Sequence, residues 1–168
     1  MNGTKQTIIS KDAENKKLLV ERTFDAPPDL VWKAWTEKEL LDQWWAPLPW
    51  KAETRSMNFS EGGTWIYCMK GPEGECSWCR ADFHSIVPSK EFSATDGFCD
   101  EEGNFNSEFP LMRWNNRFID LGDRTTVLVE LSFDNEADME KILEMGFSEG
   151  FTAAHGNLDK LLAGELVS

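Results

Sequence analysis

The 168-residue sequence has few basic residues for its size: 17 lysines and arginines stand against 30 aspartates and glutamates, a formal net charge of −13. Such a charge repels nucleic-acid phosphates and anionic lipid headgroups, so neither is an expected partner. The sequence also lacks any apolar run near the roughly 18 residues that a membrane helix needs, and its first residues lack the apolar segment of a secretion signal. We therefore expect no membrane insertion and a cytoplasmic location.

Residues suited to acid–base chemistry and metal binding are scarce. His84 and His155 are the two histidines, which leaves little capacity for general acid–base chemistry at neutral pH. Cys76 and Cys79 have the spacing of half a zinc or redox site, but no second ligand pair is evident. The sequence thus predicts no catalytic residue, no metal and no cofactor. It also predicts unbridged thiols at all four cysteines, Cys68, Cys76, Cys79 and Cys99.

Tryptophan, in contrast, is abundant, with eight residues in the chain. Four of them follow Phe24 closely: Trp32, Trp35, Trp44 and Trp45. Pro27 or Pro28 suits the first turn of a helix, and Thr36 and Glu39 have the capping-box spacing that starts a second one. Helices this short are not stable alone, so their tryptophans must pack against another layer.

The rest of the chain alternates like a series of strands and ends in helical periodicity. Strands are predicted at 17–24, 50–59, 65–69, 76–87, 91–98, 112–120 and 125–133. A short helix at 136–143, capped by Asp134 or Asn135, precedes a longer one that ends near 163, with an apolar stripe of Phe147, Phe151, Ala154, Leu158 and Leu161. This pattern predicts an α+β fold whose sheet curls around the last helix. We expect a polar arm over 1–16 and one domain over 17–165.

Several motifs resemble those of one family over most of the chain: Arg22–Pro27, Val31–Trp32, Ala34–Thr36, Trp44–Pro47, Gly62–Trp65, Met145–Phe151 and Leu158–Leu161. On these residues the chain resembles the START-like, Bet v 1-type helix-grip (SRPBCC) superfamily, in the branch of activator of heat-shock protein 90 ATPase homologues. The resemblance implies a curved antiparallel sheet of about six or seven strands around a long C-terminal helix, with two short helices after the first strand. It further implies a groove between the sheet and that helix, which similar folds use for apolar ligands.

The candidate pocket lining combines a tryptophan near the expected mouth, strand residues that share a face, two residues of the helix stripe and a histidine one position off that stripe. They are Trp45, Trp65, Tyr67, Met69, Trp78, Arg80, Met112, Trp114, Phe118, Phe147, Phe151 and His155. The same side chains could instead fill a closed core. Arg22, Arg80, Arg113 and Arg117 would each need a ligand carboxylate or an acidic residue on a neighbouring strand, such as Glu53, Asp82 or Glu130.

The leading hypothesis is binding or carriage of a small hydrophobic molecule, lipid-like or aromatic, in this cavity. An enzyme of cyclase or hydrolase type is an alternative, which His155 bonded to a carboxylate inside the pocket would favour. A chaperone-associated interaction domain is another. A homodimer that buries some of Trp32, Trp44, Trp50 and Phe105 also stays open.

Overall fold

The computed structural model describes residues 6–165. Strands and helices follow one another in the order β1 (Ile8–Asp12), β2 (Lys17–Phe24), α1 (Pro28–Thr36), α2 (Lys38–Trp44), β3 (Lys51–Met57), β4 (Thr64–Lys70), β5 (Cys76–Val87), β6 (Glu91–Phe98), β7 (Met112–Asp120), β8 (Thr125–Ser132), α3 (Glu136–Glu144) and α4 (Phe147–Leu162). The predicted α+β helix-grip fold is confirmed. Strands β2, β5, β6 and β7 have the predicted bounds.

All eight strands belong to one antiparallel sheet with the order β1-β2-β8-β7-β6-β5-β4-β3. The extra strand relative to the prediction is β1, whose residues we expected in a polar arm. It pairs with β2 along its whole length, from Ile8 opposite Glu21 to Asp12 opposite Lys17. Its side chains are exposed or half-buried, so they lack the apolar alternation that identified the other strands.

The sheet curls around α4 and does not close into a barrel. Two irregularities in strand register help it to bend, one between Thr54 and Ser56 in β3 and one between Phe83 and Ile86 in β5. Bulges of this kind bend a strand and increase its local twist. The concave face therefore wraps the helix and carries the largest part of the core.

The two short helices are fixed by tryptophan. Trp44 Nε1 donates to the Ala34 carbonyl at 2.8 Å and so joins α2 to α1. The predicted capping box does not form, because the Thr36 hydroxyl donates to the Trp32 carbonyl within α1 and α2 has no side-chain cap. Trp44 is completely buried in its own chain, which removes it from any dimer interface.

The last two helices form as predicted, a short one followed by the long one. Asn135 Oδ1 accepts from the Asp138 backbone N–H at 2.8 Å and caps α3. Gly146, with φ at 91°, reverses the chain between α3 and α4. The buried Asn157 of α4 donates to the Ala46 carbonyl at 3.1 Å, which holds the helix against the end of α2. Among the helices of residues 6–165, none is long and apolar enough to cross a membrane.

The expectation of four unbridged cysteines is wrong for one pair. Cys68 and Cys76 form a disulfide, with their Cα atoms 5.7 Å apart. In the β4–β5 hairpin Cys76 lies opposite Lys70 and Cys68 opposite Trp78, so the two cysteines are diagonal neighbours at a distance that a disulfide can span. Cys79 and Cys99 are free and buried.

Candidate functional site

A cavity of about 210 Å³ lies between the concave face of the sheet and the region where α3 passes into α4. Its walls are mainly aromatic and aliphatic: Trp45, Pro47, Tyr67, Met69, Cys79, Asp96, Gly97, Phe98, Met112, Trp114, Ile142, Met145, Gly146, Phe147, Gly150 and Phe151. It is therefore a space lined by apolar groups, with a small number of polar atoms.

Strand register explains why these side chains meet. Tyr67 pairs with Cys79, and Asp96 pairs with Met112, so each pair projects from the same face of the sheet. Trp114 lies two residues beyond Met112 and therefore projects from that face too. The α4 residues Phe147 and Phe151, one turn apart, cover these strands from the other side.

The cavity is open on one side and buried on the other. Met145 is 48% exposed, and Pro47, Gly146 and Gly150 beside it are half-buried, so these residues form the mouth. Phe151, in contrast, is 7% exposed and belongs to the inner wall. A molecule entering past Met145 would reach the aromatic side chains without any rearrangement of the sheet.

Two tryptophan N–H groups are paired with polar side chains of the wall. Trp45 Nε1 donates to the Tyr67 hydroxyl at 2.9 Å. Trp114 Nε1 donates to Asp96 Oδ1 at 2.7 Å. Among the described residues no other donor contacts the Asp96 carboxylate, so its Oδ2 oxygen keeps its capacity to accept.

Burial changes the acid–base properties of the wall. It raises the pKa of Asp96 to about 7, although the Trp114 hydrogen bond acts in the opposite direction. Burial also raises the pKa of Cys79 to about 12 and that of Tyr67 well above its usual range, and the Asp96 charge adds to both shifts. Cys79 and Tyr67 are therefore neutral near pH 7, whereas Asp96 can hold or release a proton there.

A smaller cavity of about 30 Å³ lies deeper in the core and shares Trp45, Asp96 and Trp114 with the first. Trp35 and Asn116 also line it, and Trp35 Nε1 and Asn116 Oδ1 are buried atoms that have no hydrogen-bond partner in the described part of the chain. About 10–15 Å³ is enough for one water molecule, so this inner cavity can hold a small polar group. Asp96 thus lies at the boundary between the outer cavity and this inner one.

Seven of the twelve predicted pocket residues line the outer cavity: Trp45, Tyr67, Met69, Met112, Trp114, Phe147 and Phe151. Trp65 lies behind them, stacked on Tyr67 with ring centroids 4.0 Å apart, and lines the inner cavity. Phe118 is further away in the core, in edge contact with Trp32 at 5.1 Å. The alternating side chains of β4 and β7 therefore extend beyond the outer cavity, at Trp65 and at Phe118.

Trp78 and Arg80 are on the opposite, convex face of the sheet, because they alternate with the inward-facing Cys79. Arg80 Nε donates to Asp82 Oδ1 at 2.9 Å, one of the carboxylates named from the sequence, and Arg80 Nη1 donates to the Gly103 carbonyl at 2.9 Å. Trp78 packs under the Arg55 guanidinium. The prediction placed both residues on the wrong face of β5.

His155 is buried but lies behind Phe151, with the two ring centroids 4.2 Å apart, and it does not line the cavity. Its Nδ1 pairs with the Thr7 hydroxyl at 2.9 Å. Burial, assisted by the Arg22 charge, lowers the pKa of His155 to about 3, so the ring is neutral at physiological pH. The other histidine, His84, is exposed and pairs with the Thr95 hydroxyl.

Asp96 is one of the wall residues that the sequence reasoning missed, together with Cys79, Gly97, Phe98 and Ile142. For Asp96 a signal was present, because Phe92, Ala94 and Asp96 alternate along β6 and a carboxylate in such an apolar row has to be buried. The mouth residues Pro47, Met145, Gly146 and Gly150 had no comparable signal, since they come from turns and helix ends whose position depends on the complete fold.

The fold and the cavity together define a helix-grip domain with an internal apolar space. Residues 25–163 match the family model described as Activator of Hsp90 ATPase homolog 1-like protein. The chain belongs to this family, as the motifs indicated. A search of curated proteins found no match.

Solved structures agree with this assignment. A protein from Arthrobacter aurescens, determined by solution NMR, is 30% identical with a TM-score of 0.89, over 94% of this chain and 91% of that one. A Mycobacterium smegmatis crystal structure is 26% identical with a TM-score of 0.86, over 93% and 96%. A Nitrosomonas europaea crystal structure is 25% identical with a TM-score of 0.78, over 92% and 97%. The fold is therefore shared along nearly the whole length of each relative.

Proposed function

We propose that this protein binds a small, largely apolar molecule in the cavity between the sheet and α4. The observation that supports this most is the cavity itself, about 210 Å³ in volume and open beside Met145. Ligand sites are commonly concave, mostly apolar and equipped with a few polar groups, and here Asp96, Tyr67 and Cys79 are such groups.

The enzyme alternative, with His155, Tyr67 or Arg80 as polar groups, would be favoured by His155 bonded to a carboxylate inside the cavity. His155 Nδ1 pairs instead with a threonine hydroxyl, and its ring is separated from the space by Phe151. This geometry favours binding over catalysis. The chaperone-associated alternative and the homodimer stay predictions.

A neutral aromatic probe, naphthylmethanol, tests the proposal directly. Titrated into the isotope-labelled protein, it should shift the backbone amide NMR signals of cavity residues such as Tyr67, Met112 and Phe147. Phe147→Gln removes one aromatic contact at the cavity wall and should weaken binding several-fold, which corresponds to about 1 kcal/mol.

Leu19→Gln is the matched control, because Leu19 is 43% exposed and projects from β2 between the buried Leu18 and Val20. It should leave the affinity unchanged. Absence of any binding, or shifts confined to residues outside the cavity, would refute the proposal. Native mass spectrometry of the 19.2 kDa chain, purified without denaturation, would identify a molecule that the cavity retains.

A further inference from the structure

The charge of the cavity wall points to one chemical class of ligand. Among the residues that line the outer cavity, Asp96 is the only one whose side chain can carry a charge near neutral pH. It is 7% exposed and has an oxygen, Oδ2, that accepts from none of the described residues. An ionised carboxylate is costly to bury unless a cation or several donors compensate it.

The surroundings of Asp96 suit a cation and oppose an anion. Among residues 6–165, no lysine or arginine lines the cavity, so a ligand carboxylate or phosphate would meet an acidic group without a compensating charge from them. Aromatic rings, in contrast, line the cavity close to one another: the ring centroid of Trp114 is 5.7 Å from that of Trp45 and 5.5 Å from that of Phe151. Aromatic faces attract ammonium groups, most strongly where water is excluded.

The net negative charge of the whole molecule also attracts cations. The net charge of −13 lowers the potential around the chain, and a cleft concentrates that effect on small cations that approach it. Attraction at long range, ring faces at short range and a carboxylate at the inner end therefore favour the same ligand class.

We propose that the cavity selects apolar molecules that carry a protonated amine, with the Asp96 carboxylate as the ionic partner of the ammonium group and the surrounding rings holding its apolar part. This inference rests on the proposed function, since it assumes that the cavity is the binding site. The ammonium would donate to Oδ2, while Trp114 continues to donate to Oδ1. The apolar part of the ligand would then extend toward Met145 and the mouth.

Three probes with the same ring and a different polar group test the selection: naphthylmethylamine, naphthylmethanol and naphthoate. Affinities are measured by isothermal titration calorimetry at about pH 8, where the amine is protonated and Asp96 ionised. The amine should bind about tenfold or more tightly than the alcohol, and the naphthoate more weakly than either.

The variant Asp96→Asn keeps the shape of the side chain and removes its charge. It should abolish the preference for the amine over the alcohol. Asp82→Asn is the matched control, because Asp82 lies on the convex face, paired with Arg80. It should preserve the preference. Circular dichroism and thermal unfolding of each variant establish that it is folded.

The outcomes separate the two proposals. Alcohol binding without an amine preference, a preference that survives in Asp96→Asn, or naphthoate binding as tight as that of the amine would overturn the amine selection alone. Absence of binding by all three probes would overturn both proposals. Loss of the preference in Asp82→Asn as well would assign it to the overall charge of the protein and also overturn the role of Asp96.

Discussion

Trp114 Nε1 and Asp96 Oδ1 are joined by a 2.7 Å hydrogen bond between the neighbouring strands β7 and β6, on the concave face of the sheet. The bond fixes the carboxylate at the wall of the cavity and orients the indole ring against Phe151. One donor does not compensate the burial of an ionised carboxylate, which is why the pKa of Asp96 rises to about 7. The acidic group that is best placed to recognise a ligand is thus also a source of instability.

Asp96→Asn should make the protein more stable at neutral and alkaline pH. The folded-state pKa of Asp96, about 7, lies above its ordinary value of 3.8, so the unfolded chain releases this proton first as the pH rises. Wild-type stability therefore falls between about pH 4 and pH 7 through this group, and the loss is complete above pH 7. The variant should gain up to roughly 4 kcal/mol at about pH 8 and little at pH 4.

Urea unfolding at a series of pH values measures this difference. Asp82→Asn, on the convex face, should not show it. If the two proteins differ by the same free energy of unfolding at all pH values, the Asp96 carboxylate is ionised throughout and its charge is compensated by its surroundings. That result would contradict the prediction.

His155 should have the opposite dependence on pH. Its folded-state pKa, about 3, lies below the ordinary 6.5, because burial and the Arg22 charge disfavour the imidazolium. The unfolded chain therefore takes up this proton first as the pH falls, and protein stability is lost progressively from about pH 6.5 to pH 3, by up to roughly 5 kcal/mol. The opposite effects of Asp96 and His155 on the pH dependence of the unfolding free energy therefore partly cancel between about pH 4 and pH 6.5.

His155→Gln, measured by urea unfolding, should reveal this contribution. The variant loses ring contacts with Phe24 and Phe151 and should be less stable at pH 8, but its deficit should shrink as the pH falls. His84→Gln, at the exposed histidine, is the comparison variant. A deficit that grows on acidification would show that His155 is protonated in the folded state.

The long, strongly patterned elements could be predicted from the sequence because their periodicity follows directly from burial on one side. Strands β5 and β7 and helix α4 are examples, since each alternates or repeats over many residues. Strand β1 could not be predicted, because an edge strand with little burial has no such alternation. Alternation along β5 defines two faces of the strand but does not tell which one points toward the core. The pairing of Cys79 with Tyr67 shows that Cys79 points inward, so Trp78 and Arg80 lie on the other face.

The candidate site could likewise be predicted in part from the sequence. Phe147 and Phe151 followed from the helix stripe, and Tyr67 and Met69 from strand alternation. The mouth depended on where Pro47 meets Gly150, a contact between residues far apart in the chain. Arg22, one of the four arginines expected to need a partner, pairs with Asp159 of α4, an acid outside the neighbouring strands.

Removing the Asp159 carboxylate should lower the free energy of unfolding. Arg22 is 5% exposed and forms an ion pair with Asp159, and its Nη1 donates to the Thr7 hydroxyl at 3.2 Å. Asp159→Asn would leave a buried guanidinium without a counter-charge, and we expect a loss of about 3 kcal/mol in the free energy of unfolding. Asp134→Asn breaks the exposed Arg113–Asp134 pair and should cost less than about 1 kcal/mol. Similar losses in the two variants, measured by urea unfolding, would contradict this account.

Gly150 and Gly156 provide a test that separates stability from access to the cavity. Both lie in α4 without a positive φ, so alanine should stabilise the helix at either position by up to about 1 kcal/mol. A Cβ at Gly150 would lie 3.7 Å from Pro47 Cγ at the cavity mouth, whereas one at Gly156 would meet no atom within 4 Å. Thermal unfolding should therefore show a melting temperature at or above that of wild type for both variants.

Binding of naphthylmethanol should slow or weaken in Gly150→Ala alone, because the methyl group narrows the passage between α4 and Pro47. Equal binding by both variants would mean that ligands enter elsewhere, and equal weakening would assign the effect to the stiffness of α4.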